Sequence, residues 1–353
     1  MPSPAERARA VLDRLSLAEQ VGQLFMAGVG ADRGSLAAVR PGGSRRVGNV
    51  MLTGRSRASH ADVARRSRSV RALATTRSGV VLPFVATDQE GGAVQVLQGR
   101  GFSDLPSAKV QGSWSEAGLR SRAGAWAREL RTAGLNLDLA PVADTVPGAA
   151  AARANPPIGA YDREFGYTTD VVASHVLAFV DGMTSGHVAS AVKHFPGLGY
   201  VRANTDTSSR VVDTRIGRDS EGLEPFRAAV RAGVPLVMVS TATYARIDPD
   251  RPAAFSRAVV TELLRGDLGF DGVVISDDLG AARQVQAWPP GERAVRFVEA
   301  GGDIVLTVDP RTVAPMYDAV LARARTDEAF GAKVRAAALR VLTAKARFGL
   351  LRD

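Results

Sequence analysis

Eight short apolar segments recur along the chain, and residues that favour helices separate most of them. The strand candidates are 20–28, 47–54, 82–87, 135–140, 188–192, 235–240, 272–276 and 303–308. Helices are predicted over 3–17, from the second strand to about residue 76, over 115–133, 168–185, 221–232, 257–266 and 293–300, and in two segments near the C terminus. Alternating strands and helices predict an α/β fold with a parallel sheet, and eight units predict a closed TIM-type (β/α)8 barrel. A doubly wound open sheet is the alternative.

The composition is that of an ordinary globular chain, with 45% hydrophobic and 23% charged residues. No shift in composition and no linker divides the 353 residues, so one domain over 1–353 is predicted. The chain contains no cysteine, which excludes disulfides and thiolate chemistry. No apolar run has transmembrane length, and the first residues lack the apolar region of a signal peptide. As written, the chain is expected in the cytoplasm, or outside it if a leader has been removed.

The formal net charge is +9, and arginine supplies all but four of the 45 basic residues. These arginines are spread among acids in helical segments without interleaved aromatic residues, and only 44–47 and 64–69 form short clusters. This distribution does not favour nucleic-acid binding. A basic surface could equally favour anionic polymers such as cell-wall glycans. We expect no nucleic-acid partner, no membrane segment and a monomeric chain.

Polar side chains follow several of the predicted strands at the point where each strand ends. They are Asp88, Glu90, Asp144, Lys193, His194, Asp277 and Asp278. In the stretch 272–280, GVVISDDLG, a strand runs directly into two adjacent carboxylates. One interpretation is that Asp277 or Asp278 merely caps the next helix. Because barrel enzymes build their sites at the carboxyl ends of the strands, the recurrence of polar residues there favours a functional site.

Several chemistries can be compared at such a site. The four histidines form no HxH or HExxH pair, so zinc is not expected, although an all-carboxylate Mg²⁺ site stays open. There is no GxSxG serine elbow and no specific phosphate-binding glycine pattern, and no cofactor is predicted. Lys193 could form a Schiff base, but beside His194 it is more simply a hydrogen-bonding group. Paired carboxylates that act on a glycosidic bond fit best.

Four motifs together resemble the single-domain barrel branch of the glycoside hydrolase family 3 N-acetyl-β-glucosaminidases. They are DQEGG at 88–92, PIGAYDREFG at 157–166, KHFPGLG at 193–199 and SDDL at 276–279, with APVAD at 140–144 and LRGDLGFDGVVI at 264–275 in the same order. The resemblance extends from about residue 15 to residue 306. It implies a retaining exo-glycosidase that releases terminal β-linked N-acetylglucosamine from small glycans, such as peptidoglycan fragments or chito-oligosaccharides. A small carbohydrate is then the expected partner.

The resemblance also implies roles for individual residues. Asp277 corresponds to the nucleophile that forms a covalent glycosyl-enzyme, whereas Asp278 is expected to hold backbone amides of the strand-to-helix turn. The positions that contact the sugar are Asp88, Arg163, Lys193 and His194.

The chain departs from the family pattern where the general acid/base is expected. Family members continue with a second histidine and an Asp-x-His dyad, whereas here Leu198 replaces that histidine and no histidine follows His194. The dyad positions fall on Asn204 and Asp206. We interpret Asp206 as the acid/base, which requires a pKa raised by burial or by a nearby anion such as Asp277. An ordinary polar turn is the alternative interpretation.

Other departures leave the substrate open. Ala93 stands where an arginine usually follows DQEGG, and Thr241 stands near a common histidine position. A β-glucosidase or a phosphorylase of the same family is therefore an alternative, although Asp206 would repel an approaching phosphate. A barrel that binds sugar without hydrolysing it is a further alternative. The polar segment 198–218 could also be mobile and bring Asp206 to the site only when substrate is bound.

Overall fold

A computed structural model describes residues 2–43 and 45–352 of the protein. Its centre is an eight-stranded parallel sheet of β1 (Phe25–Gly30), β2 (Asn49–Thr53), β3 (Phe84–Thr87), β4 (Leu137–Asp138), β5 (Ala189–Phe195), β6 (Leu236–Val239), β7 (Val273–Ser276) and β8 (Val305–Thr307). The strands are neighbours in chain order, and β8 pairs with β1. A parallel bridge between Ile275 and Ile304 joins β7 to β8 and closes the ring. The predicted TIM-type barrel is confirmed, and the open sheet is excluded.

Helices surround the barrel and mostly follow the predicted bounds. The α-helices are Pro4–Leu12, Leu17–Gln23, His60–Ala74, Ala108–Gln111, Glu116–Thr132, Ala149–Arg153, Thr169–Ser185, Glu224–Arg231, Pro290–Ala300, Pro310–Thr326 and Glu328–Arg347, and Ala258–Asp267 is a π-helix. The long segment between β4 and the helix Thr169–Ser185 contains the short helix Ala149–Arg153 and a 3-10 turn at Gly159–Tyr161. That one domain spans 1–353 stays a prediction.

The N-terminal prediction is wrong in one detail, because residues 20–23 are helical and the strand begins at Phe25. The cause is a capping box: the Ser16 hydroxyl accepts from the amide of Glu19, and the Glu19 carboxylate accepts from the amide of Ser16. Such a reciprocal pair fixes a helix start. The predicted helix 3–17 accordingly ends at Leu12, and a second helix begins at Leu17 after a turn.

Apolar side chains fill the barrel interior. They are Met26, Met51, Phe84, Ala86, Leu137, Leu139, Ala189, Ala191, Leu236, Met238, Val273, Ile275, Ile304 and Leu306. The C-terminal helix packs Val341 and Ala344 against the same cluster. Next to them the buried Lys345 donates to Gln23 Oε1 (2.7 Å) and to the Gly48 carbonyl (2.9 Å), and burial lowers the pKa of its amine. These contacts close the barrel floor, so the open end is the one at which the carboxyl termini of the strands meet.

No helix within residues 2–43 and 45–352 is long and apolar enough to cross a membrane.

A buried carboxylate, Asp303, joins three elements just before β8. Its two oxygens accept from Arg265 (2.6 Å) and Arg340 (2.8 Å), and Oδ2 also accepts from the amide of Val274 (2.7 Å). We expect Asp303→Ala to lower the free energy of unfolding by about 3–5 kcal/mol, because two largely buried guanidinium groups lose their counter-charge. Urea unfolding followed by circular dichroism measures this loss.

Asp318→Ala is the matched control for that experiment. Asp318 also pairs with an arginine, Arg45, at 2.6 Å, but its side chain is 49% exposed. Water replaces such a partner readily, so the expected loss is at most about 1 kcal/mol. Similar losses in the free energy of unfolding would show that the ion pairs of Asp303 stabilise the fold no more than an exposed pair does.

Candidate active site

Strand β5 carries Lys193 and His194 into the open end of the barrel. The sequence placed these residues after the strand, but β5 continues to Phe195 and includes both. The Lys193 ammonium lies 2.7 Å from Asp88 Oδ1 and 2.6 Å from Glu90 Oε1. Burial alone would lower the pKa of Lys193, but the charges of Asp88 and Glu90 outweigh it and raise the pKa. Lys193 is therefore a permanently charged hydrogen-bond donor, which disfavours the Schiff-base chemistry considered above.

Glu90 ties the long loop after β4 to the DQEGG turn. Its two carboxylate oxygens each lie 2.8 Å from the guanidinium of Arg163, which also donates to the Pro157 carbonyl at 2.7 Å. Burial works to raise the pKa of Glu90, yet Arg163 and Lys193 together hold it well below its usual range. Sequence reasoning assigned Glu90 no role. Its place within DQEGG was a signal, because a second acid there needs a cation to remain ionised.

Asp144 fixes the orientation of His194. Its Oδ2 lies 2.7 Å from His194 Nδ1, and its Oδ1 accepts from the amide of Leu198 at 2.7 Å. The Asp144 side chain also accepts from the amide of His194 itself at 3.3 Å. The other ring nitrogen, Nε2, lies 3.5 Å from Arg163 Nη2 at the cleft. Asp144 was noted in the sequence as a polar strand end, but its partner was not predicted.

The two carboxylates after β7 have different surroundings. Asp278 accepts from the amides of Gly280 (2.8 Å), Ala281 (3.0 Å) and Val308 (3.1 Å), as the sequence predicted for a residue that holds the turn. Burial raises the pKa of Asp278, and these amide bonds act in the opposite direction. Asp277 is half-buried, and the amide of Asp278 donates to its Oδ1 at 2.8 Å. Neither side chain caps a helix among the described elements, so the helix-cap interpretation fails.

Asp206 lies in the same cleft as Asp277. The side chain of Asn204 accepts from the amide of Asp206 at 2.8 Å and so shapes the turn that carries it. Asp206 as a whole residue is exposed, while nearby protein atoms partly desolvate its carboxylate. Partial burial, followed by the charge of Asp277, raises the pKa of Asp206 to about 6. From the sequence, the acid/base role requires a pKa of Asp206 that is raised by burial or by a nearby anion, and both causes act here in that direction.

All six site residues predicted from the sequence line one cleft of about 420 Å³. They are Asp88, Arg163, Lys193, His194, Asp206 and Asp277. The volume falls within the range of about 300–1,000 Å³ that small-molecule sites occupy. Apolar side chains of the barrel interior, including Met51, Met238 and Leu306, lie at its base, and Leu198 contributes to its wall. Thr241, in contrast, is fully buried and does not line the cleft.

Across residues 2–43 and 45–352, no three His, Cys, Asp or Glu side chains come together in a way that could hold a metal ion. The chemistry available in the cleft is that of two free carboxylates, Asp206 and Asp277, beside a set of charged hydrogen-bonding groups. A pair of carboxylates in one cleft is the arrangement that glycoside hydrolysis uses.

Comparisons with known proteins identify the family of the chain. Residues 16–344 match the family model described as the glycosyl hydrolase family 3 N terminal domain. A protein named beta-hexosaminidase from Stenotrophomonas maltophilia strain K279a is 36% identical over 286 residues, which cover 78% of this chain and 81% of that protein.

Solved structures give the same result. The crystal structure of a beta-N-acetylhexosaminidase from Beutenbergia cavernae superposes with a TM-score of 0.92 at 50% identity, covering 94% of this chain and 98% of that one. A family 3 beta-N-acetylglucosaminidase from Paenibacillus superposes with a TM-score of 0.86 at 31% identity, covering 95% of this chain and 63% of the other. The protein is a glycoside hydrolase and belongs to glycoside hydrolase family 3.

Proposed function

We propose that this protein is a retaining, exo-acting β-N-acetylglucosaminidase in which Asp277 is the nucleophile and Asp206 is the acid/base. One observation carries the proposal: the carboxylates of Asp206 and Asp277 share one cleft, where partial burial and the nearby charge of Asp277 raise the pKa of Asp206. The relatives named above as N-acetylhexosaminidases support the choice of sugar.

The reaction proceeds in two displacements. In the first, an oxygen of Asp277 bonds to the anomeric carbon while the glycosidic C–O bond breaks, and Asp206 gives its proton to the departing oxygen. In the second, the now ionised Asp206 takes a proton from water, whose oxygen attacks the anomeric carbon and releases Asp277. Asp206 ends protonated and Asp277 ends ionised, so the enzyme returns to its starting state.

The charged groups around the two carboxylates bind the sugar. Asp88, Lys193, Arg163 and His194 present hydrogen-bonding atoms to the cleft, and Glu90 and Asp144 hold three of them in place. Groups that are already paired and oriented lose little freedom when substrate binds. They can therefore hold hydroxyls of one terminal sugar in a fixed position relative to Asp277.

The barrel geometry supports action at a chain end. Because the interior side chains close the cleft from below, a glycan can enter with its terminal residue but cannot pass through. Small glycans such as peptidoglycan fragments or chito-oligosaccharides are the proposed substrates. Of the alternatives, phosphorolysis is disfavoured because Asp206, ionised after the first displacement, places negative charge where phosphate would approach. The position of Asp206 in the cleft that also contains Asp277 favours the acid/base interpretation over an ordinary polar turn.

The stereochemistry of hydrolysis tests the proposal. We expect the β-anomer of N-acetylglucosamine as the first product of 4-nitrophenyl N-acetyl-β-glucosaminide, because two inversions retain the configuration. Proton NMR during the first minutes distinguishes it from the α-anomer, and matched runs in phosphate and chloride should give equal rates. The α-anomer as first product would contradict a retaining mechanism, and a glycosyl phosphate would identify a phosphorylase.

A further inference from the structure

Two loops meet beside the cleft, and hydrogen bonds join them directly. We call residues 198–218 the Asp206 loop and residues 277–289 the Asp277 loop. The amide of Arg283 donates to the Asp206 carbonyl at 3.1 Å, and the amide of Gln284 donates to the Thr205 carbonyl at 3.0 Å. The turn that carries the proposed acid/base is thus bonded to the loop that begins with the proposed nucleophile.

The side chain of Gln284 adds a second attachment farther along the Asp206 loop. Its Oε1 accepts from the amide of Val211 at 2.8 Å, and its Nε2 donates to the Val211 carbonyl at 3.2 Å. One carboxamide therefore satisfies both backbone groups of Val211, as a neighbouring strand would. Gln284 and Val211 are 7% and 3% exposed, so water is poorly placed to replace these bonds.

The ends of the Asp206 loop are also anchored. At its start, the amide of Leu198 donates to Asp144. Toward its end, Val212–Asp213 pairs with Thr243–Tyr244, and the amide of Thr243 donates to the Val211 carbonyl. Asn155 also donates to the Val201 carbonyl at 3.0 Å. Asp206 lies between these anchors, in the part of the loop that Arg283 and Gln284 contact.

We propose that Gln284 is a positioning residue that holds the Asp206 loop against the Asp277 loop before substrate binds. The inference rests on the proposed function, since it gives Asp206 the acid/base role. The sequence alone is compatible with a mobile loop that brings Asp206 to the site on binding, whereas the inference is that the loop is already in place. Preorganisation matters because a misplacement of about 1 Å in a reacting group can cost about 100-fold in rate.

Two variants of Gln284 test this inference. Gln284→Met keeps most of the side-chain volume and removes both bonds to Val211, and Gln284→Ala removes the volume as well. With chitobiose, whose leaving group needs a proton, we expect kcat/KM to fall by about 10- to 100-fold in both variants, mainly through kcat. With 4-nitrophenyl N-acetyl-β-glucosaminide, whose phenolate leaves more easily, we expect a loss of less than about threefold.

The pH dependence of kcat/KM and local amide hydrogen exchange distinguish a positioning role from a general loss of stability. In the Gln284 variants the Asp206 loop can move into water and away from Asp277. We therefore expect the fall in kcat/KM at high pH to begin at a lower pH than in the wild type. Hydrogen exchange in the free enzyme should be slow for 203–211 in the wild type and faster in Gln284→Met, with other segments unchanged.

Gln286→Ala is the matched control. Gln286 belongs to the same loop, and its Nε2 donates to the carbonyls of Gly280 (2.9 Å) and Ala282 (3.2 Å) rather than to the Asp206 loop. We expect it to preserve the ratio of the two substrates and the pH profile. Equal losses on both substrates in the Gln284 variants, with an unchanged pH profile, would overturn the inference.

Asp206→Ala, measured in parallel, separates the inference from the function on which it rests. If this variant discriminates between the two substrates and the Gln284 variants do not, the positioning role of Gln284 is wrong while the acid/base assignment stands. If Asp206→Ala does not discriminate, the acid/base assignment fails, and the positioning role of Gln284 fails with it.

Discussion

Asp277→Ala should lower the turnover of 4-nitrophenyl N-acetyl-β-glucosaminide by about 10⁴- to 10⁶-fold, the loss typical when a covalent nucleophile is removed. Without this carboxylate no glycosyl-enzyme can form, however well the remaining cleft binds the sugar. Because Asp277 is half-buried at the end of β7 and its bonding to the turn is limited to the amide of Asp278, the protein should remain folded. A release of 4-nitrophenol close to the wild-type rate would contradict the assignment.

Azide distinguishes loss of the nucleophile from general damage. In Asp277→Ala, azide can occupy the vacated space, attack the anomeric carbon directly and expel the nitrophenolate. A single displacement inverts the configuration, so the product should be the α-glycosyl azide. Asp278→Asn is the matched control, because Asp278 holds the amides of Gly280, Ala281 and Val308 and its loss should reduce stability without azide rescue.

A slow fluorinated substrate examines the covalent step itself. A 5-fluoro glycoside slows both displacements, so that the glycosyl-enzyme accumulates when the leaving group is good. Mass spectrometry of the digested wild type should then find the added sugar on the peptide that contains Asp277. Hydrolysis of the fluorinated substrate without any labelled peptide would instead point to participation of the substrate's own acetamido group.

The barrel fold and the residues that line the cleft could be predicted from sequence, because both follow from local patterns. Short apolar strands followed by helices leave few parallel architectures, and a closed barrel brings every strand's carboxyl end to the same face. Residues as distant as Asp88 and Asp277 could thus be placed together without any knowledge of their contacts. The N-terminal error has a local cause as well, since an apolar run interrupted by polar residues fits a helix or a strand.

The pairings within the cleft could not be predicted in the same way. Glu90 pairs with Arg163, which lies 73 positions away in the sequence, and Asp144 pairs with His194, which lies 50 positions away. The sequence shows that an acid ends a strand, but the cation it faces depends on how two separate loops pack. Nor does the polar composition of 198–218 reveal its attachment to the Asp277 loop, because backbone groups and the side chain of Gln284 provide that attachment.

Asp206→Ala should separate the substrates by their leaving groups. With chitobiose, we expect kcat/KM to fall by about 10²- to 10⁴-fold, the contribution typical of a positioned general acid. The loss on 4-nitrophenyl N-acetyl-β-glucosaminide should be far smaller, because a phenolate departs with little protonation. Asp206→Asn is the matched variant, since it keeps the shape and the backbone bond to Asn204. Equal losses on both substrates would argue against proton donation by Asp206.

The pH dependence gives the same residue a second, independent test. Because Asp206 must carry its proton to donate it, and its pKa is raised to about 6, wild-type kcat/KM on chitobiose should be sustained below that pH and decline above it. Asp206→Asn should lack this decline, since an amide has no proton to lose. Azide should rescue Asp206→Ala by attacking the glycosyl-enzyme, and a second inversion gives the β-glycosyl azide. Opposite azide anomers from the Asp206 and Asp277 variants would assign the two carboxylates to different steps, which no loss of stability could imitate.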